Sequence, residues 1–136
     1  MSDTATDLQL RYLTDWILTA TPIQRLLMLF DGLHTDLDAA LEAFATRDWK
    51  DVSDHLVHAQ EILLALRDGL DRTTPLGASL HGIYSFCLSE LVRANLDKEP
   101  ERLPAVRRLI EQIADANRVA AVANEPGGSA SAQAAL

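Results

Sequence analysis

Thr21-Pro22-Ile23-Gln24-Arg25-Leu26-Leu27-Met28-Leu29-Phe30-Asp31-Gly32-Leu33 decides the fold of this chain. It reads as a helix start followed by an apolar stripe. Thr21 is a good N-cap, and Pro22 suits the first helical position, where its missing N–H costs nothing. Gln24 stands three residues after the cap and completes a capping box. Behind it Leu26, Leu29, Phe30, Leu33, Leu37, Ala40, Leu41 and Phe44 recur at spacings of one helical turn, which predicts a first helix from Pro22 to Phe44 or Ala45. Gly32 lies inside that helix, where glycine costs about 1 kcal/mol relative to alanine, so its presence needs a reason of its own.

The same period recurs downstream. A second helix starts near Trp49, capped by Asp48, and runs to about Leu70 with Val52, Leu56, Ala59, Ile62, Leu63, Leu66 and Leu70 as its stripe. Arg72 to Pro75 breaks the pattern. A third covers about Leu76 to Leu96 with Leu80, Ile83, Tyr84, Cys87, Leu88 and Leu91 inward, and Asp97 to Pro100 forms the next turn. A fourth begins between Glu101 and Pro104 and carries Val106, Leu109, Ile110, Ile113 and Ala120. Four amphipathic helices of about twenty residues joined by short turns predict an all-α chain, an antiparallel up-down four-helix bundle over residues 21–122. Residues 1–20 form an N-terminal arm or short extra helix, apolar at Leu8, Leu10, Tyr12, Leu13, Trp16 and Ile17, which must dock on the bundle, on another subunit or on a partner. Residues 123–136 are mostly Gly, Ser, Ala and Gln without periodicity and read as a disordered tail.

Length and charge narrow the function. A chain of 136 residues supports one core. With 48% hydrophobic residues it has enough apolar surface to fold, and with 5% aromatic residues that core is aliphatic. A net charge of -8 argues against nucleic acid and anionic membrane as partners, since both need a positive face. Cys87 is the single cysteine, so no internal disulfide is available and a reducing, cytoplasmic setting fits. No signal peptide or membrane span is visible.

Catalysis finds little support. A di-iron bundle needs two Glu-x-x-His pairs, and none occurs among His34, His55, His58 and His81. The nearest spacing, Asp31-Gly32-Leu33-His34, falls on the solvent flank of the first helix. His55 and His58, one turn apart, could share a zinc, but no third or fourth ligand is evident. Solvated surface imidazoles are the expectation for the histidines, and Cys87 on an inward face is an inert filler. No phosphate loop or Ser/His/Asp set exists. The expectation is no catalytic residue, no metal and no cofactor.

Binding is the better reading. Met28, Gly32 and Ala39, with Ala43, form a low-profile flank of the first helix where a second backbone could approach. Val57 and Leu64 stand off the second helix's stripe, and Phe86 points nearly opposite to Tyr84. With Leu10, Tyr12, Trp16 and Ile17 of the arm, these are the candidate binding residues, lining apolar grooves of the helix-in-groove kind. The alternative use of such strips is self-association, a helical scaffold or homodimer with no client.

The ordered motifs resemble one family. Tyr12 precedes Thr19-Ala20-Thr21-Pro22. Met28-Leu29-Phe30-Asp31-Gly32 follows, then Ala59-Gln60 with Ile62, Leu66 and Leu70. Tyr84-Ser85-Phe86 is similar to a Tyr-x-Tyr element, and Leu91-Val92-Arg93-Ala94-Asn95 to Leu-x-x-Ala-Asn. The set, over about residues 10–118, resembles the FliS family of bacterial flagellar secretion chaperones. Phe30 replaces a usual tyrosine, Asn117 stands where members often carry tryptophan, and Trp16 is an addition. The resemblance implies an antiparallel helical bundle that binds the disordered C-terminal region of flagellin in the cytoplasm. It also implies that the chain blocks premature polymerisation and hands its client to the flagellar type III export apparatus.

Overall fold

The computed structural model describes residues 22–123. The arm, the tail, the Thr21 cap and the candidates Leu10, Tyr12, Trp16 and Ile17 lie outside the described residues. Within them the chain is four helices: α1 (Pro22–Ala45), α2 (Trp49–Asp68), α3 (Pro75–Asp97) and α4 (Leu103–Ala123), with a 3-10 turn at Pro100–Arg102 before α4.

The helix ends form where local chemistry dictates. Asp48 Oδ1 accepts the Asp51 N–H at 3.2 Å and starts α2. Thr74 Oγ1 accepts the Gly77 N–H at 3.0 Å and starts α3, with Pro75 in the first turn. Two helices stop in left-handed residues that are not glycine, Arg47 and Lys98. The next amides fold back, Asp48 N–H donating to Ala43 O at 2.9 Å and Glu99 N–H to Ala94 O at 3.0 Å, which satisfies carbonyls a helix end would orphan.

Side-chain pairs give the register. Asp36 of α1 meets His55 and His58 of α2. Ser53 and Arg67 of α2 meet Asn95 and Ser85 of α3. Asp31, His34 and Asp38 of α1 meet Arg118, Glu111 and Arg107 of α4. In the α2–α3 and α1–α4 pairs one number rises as the other falls, and Gly32 of α1 lies against Ile62 of α2 while Asp36 meets His55 and His58, so these neighbours are antiparallel and α4 closes the ring against α1.

The predicted stripes enclose the core. Phe30, Leu33, Leu37 and Ala40 meet Val52, Leu56, Ala59 and Leu63, then Tyr84, Cys87 and Leu91, then Leu103, Val106 and Ile110. Burying each of the large side chains contributes about 1.5–3 kcal/mol. Asn117, the residue that departs from the family pattern, is buried and donates its Nδ2 to Ile113 O at 2.9 Å. Its Nδ2 is turned onto its own helix, while its Oδ1 is buried without a hydrogen-bond partner among the described residues.

Candidate functional site

The outer face of the α2–α3 seam carries a row of exposed apolar residues. Ser53 and Arg67 mark the side of α2 that faces α3. Val57 follows Ser53 by one turn and Leu64 precedes Arg67 by one, so both stand above the seam, 43% and 39% exposed. Trp49 precedes Ser53 by one turn on the same side. Across the seam Val92 is one turn before Asn95, and Leu96 one turn after Val92. All five are exposed. From Trp49 to Leu64 the strip runs about 22 Å, at ~1.5 Å per residue. Its Trp49 end is braced: the ring packs edge-on against Phe44 with centroids 6.2 Å apart, and Lys98 Nζ lies 5.7 Å from its centre. Phe86 stands farther out on α3 and is also exposed.

The candidates on α1 take a different place. Met28, Gly32 and Ala39 are half-buried on the side of α1 that α2 covers, and Ala43 is buried. A Cβ on Gly32 would lie 3.4 Å from Ile62 Cδ1. The backbone approaching this thin flank is therefore the protein's own α2. Because 3.4 Å is ordinary contact with a flexible methyl, Gly32→Ala should gain helix propensity with little strain. The expected result is a rise in stability of about 0.5–1 kcal/mol by chemical denaturation. A drop in client affinity at unchanged or higher stability would show that a partner backbone also uses this glycine.

A groove of about 200 Å3 opens at the other end of the bundle, lined by Pro22, Leu26 and Leu29 of α1, Leu66 and Leu70 at the end of α2, and Tyr84. The Tyr84 hydroxyl is buried with no hydrogen-bond partner among the described residues, and burial pushes its ionisation upward. Cys87, in the core, is pushed up to about 11 by burial and then by the nearby Glu90 carboxylate. At pH 8 its reaction with iodoacetamide in the folded protein should be at least about 100-fold slower than in the unfolded chain. The unfolded chain loses this proton first. Stability is thus expected to fall as pH rises from the ordinary thiol range toward about 11.

The histidines are not all the solvated groups the sequence leads one to expect. His34 was placed on a solvent flank, but α4 covers it. Both ring nitrogens are buried without a hydrogen bond among the described residues, Nε2 lying 3.3 Å from Glu111 Oε2. His55 and His58 both turn Nδ1 to the buried Asp36 carboxylate, His55 at 3.3 Å. That carboxylate spends its lone pairs on tying α2 to α1. Among the described residues no group of three or more His, Cys, Asp or Glu is arranged to hold a metal.

The structure thus brings Val57 and Leu64 together with Trp49, Val92 and Leu96, which the sequence reading missed. Val92 and Leu96 fall off the stripe of Tyr84, Cys87 and Leu91, and that offset was the available signal. Met28, Gly32 and Ala39 lie on the opposite flank of α2.

Comparison with known proteins places the chain. The family model described as flagellar protein FliS matches residues 5–124. The flagellar secretion chaperone FliS of Bacillus subtilis (strain 168) is 31% identical over 98 residues, covering 72% of this chain and 74% of that protein.

Proposed function

The chain belongs to the FliS family of flagellar secretion chaperones, and we propose that its client is the disordered C-terminal region of flagellin. The chain holds this segment in the cytoplasm, blocks its premature polymerisation and delivers it to the flagellar type III export apparatus. No catalytic role is part of this proposal.

The observation that carries this reading is the strip of Trp49, Val57, Leu64, Val92 and Leu96 lying outside a core that is already closed. An amphipathic client helix lays its apolar face along such a strip. Energetics set the extent of contact. Micromolar binding needs about -8 kcal/mol, ordering a disordered segment costs ~2–5 more, and association at least ~4. At ~25 cal/mol per Å2 this calls for roughly 600 Å2 of apolar burial. A strip about 22 Å long and one helix, ~10 Å, wide falls well short of that. The client therefore extends beyond the strip, onto Phe86, the groove beside Pro22, and the rim formed by Met28, Gly32 and Ala39.

The arm competes for part of this surface through Leu10, Tyr12, Trp16 and Ile17. It enters the bundle at Pro22, beside the groove of Leu26, Leu29, Leu66 and Leu70. Deleting residues 1–17 is expected to raise client affinity in a calorimetric titration. Weaker binding would mean that the arm contacts the client directly.

Size-exclusion chromatography with light scattering at a few micromolar, with and without a flagellin C-terminal peptide, tests the function itself. A 1:1 complex formed from monomer is expected. A constitutive dimer indifferent to the peptide would make the chain a scaffold instead.

A further inference from the structure

The Trp49 end of the α2–α3 seam differs from its surroundings in charge. Arg47, Arg93 and Lys98 are exposed there, and none of the three meets an acid among the described residues. The acids of these helix ends are engaged or turned away. Asp48 caps α2, Asp54 pairs with Lys50 at 2.8 Å, and Glu90 pairs with Arg102. Asp51 and Asp97 each stand two residues from Ser53 and Asn95, which face each other across the seam. Two residues on a helix turn a side chain by about 200°, so both acids point away from it. In a chain of net charge -8 this end is a local positive patch.

We propose that the patch is a carboxylate clamp. Lys98, with Arg93 and Arg47 beside it, takes an aspartate, glutamate or C-terminal carboxylate of the client. That group lies just past the apolar residue that the client seats on Trp49 and Leu96. The clamp rests on the reading that a client binds along the α2–α3 strip.

Lys98 is fixed over the aromatic ring. Its backbone is left-handed, at φ 55°, a conformation that glycine adopts without strain. What glycine would lack is the side chain. Nζ stands 5.7 Å from the centre of the Trp49 ring and donates to Asn95 Oδ1 at 3.1 Å. Asn95 Nδ2 in turn donates to Ser53 Oγ at 3.5 Å. The ammonium is thus tethered to the seam at the edge of an exposed tryptophan, with Leu96, 75% exposed, close by in sequence. An ammonium has three N–H donors and Asn95 takes one, which leaves donors for an incoming carboxylate. A client lying over the ring excludes water there and strengthens the pair.

Calorimetric titration of the full chain with two peptides tests this. One is a flagellin C-terminal peptide. The other is the same peptide with its Asp and Glu replaced by Asn and Gln and its C-terminus amidated. Net charge alone predicts that the neutralised peptide binds this acidic chain more tightly. The clamp predicts the reverse, about fivefold weaker binding. Lys98→Asn keeps a residue that accepts the left-handed turn and removes the charge. It should lose about fivefold for the acidic peptide and nothing for the neutralised one, while Lys98→Arg should bind both as the native chain does. A cation that only steadies the end of α3 against the helix dipole would move the melting temperature without distinguishing the peptides.

Normal binding of the acidic peptide by Lys98→Asn would overturn the clamp, as would equal losses for both peptides. Either result leaves binding along the strip intact. A native chain that takes up neither peptide would instead remove the functional reading and the clamp together.

Discussion

Replacing Val57 and Leu64 together by aspartate is expected to weaken binding of a flagellin C-terminal peptide by about 100-fold. Each side chain is roughly two-fifths exposed, so a client covering both removes part of the ~1.5–3 kcal/mol that full burial of such a residue contributes. Aspartate then adds the cost of desolvating a charge without a partner, at least ~1–3 kcal/mol. Together these reach about 3 kcal/mol, which is two decades in affinity. The fold should survive, because both positions lie outside the core cluster. Calorimetric titration of the double variant, paired with its thermal melt, separates the two effects. Unchanged affinity in a protein that melts normally would remove the α2–α3 strip from the binding surface.

Gly77→Ala is expected to cost about 3 kcal/mol or more of stability and to lower the melting temperature by roughly 10–20 °C. An added Cβ would stand 1.8 Å from the carbonyl oxygen of Asp71 and 2.9 Å from Thr74 Oγ1. The first is backbone, and the turn holds it fast. Thr74 Oγ1 donates to that same carbonyl at 2.9 Å, while Asp71 Oδ1 accepts the Thr73 N–H at 3.0 Å. The Thr73 hydroxyl and amide also hold the Asp71 carboxyl below its usual range. Relieving the overlap means breaking the turn that aims α3 back along α2. Gly82→Ala is the control: it meets nothing, and should stabilise by about 1 kcal/mol through helix propensity.

These two glycines illustrate what the sequence does and does not disclose. Helix number, order and most ends were legible, because caps such as Asp48 and the apolar period act within a few residues. The core stripes were legible for the same reason. Which neighbour covers the flank of a helix is a different kind of fact. Gly32 looked like a place for a partner's backbone, yet Ile62 of α2 already lies over it. His34 looked solvated until the position of α4 beside α1 was known. Asp36, an acid beside core positions Leu33, Leu37 and Ala40, gave a signal that became meaningful only with His55 and His58 across the seam.

The candidate site follows the same division. Val57, Leu64 and Phe86 were visible as residues out of step with their stripes. Their assembly with Trp49, Val92 and Leu96 depends on the α2–α3 register fixed by Ser53–Asn95 and Arg67–Ser85. No period within one helix encodes that register. Gly77 was hidden for a similar reason, since its need for hydrogen instead of a methyl arises from a turn six residues upstream.

The central claim, that the outside of the closed bundle between α2 and α3 is the client's seat, is tested most directly by hydrogen–deuterium exchange with a flagellin C-terminal peptide. The expected result is slowed exchange along both helices together, from Trp49 to Leu64 and from Phe86 to Leu96. Protection confined to one helix end, or absent from α2 and α3 while the peptide is bound, would contradict it.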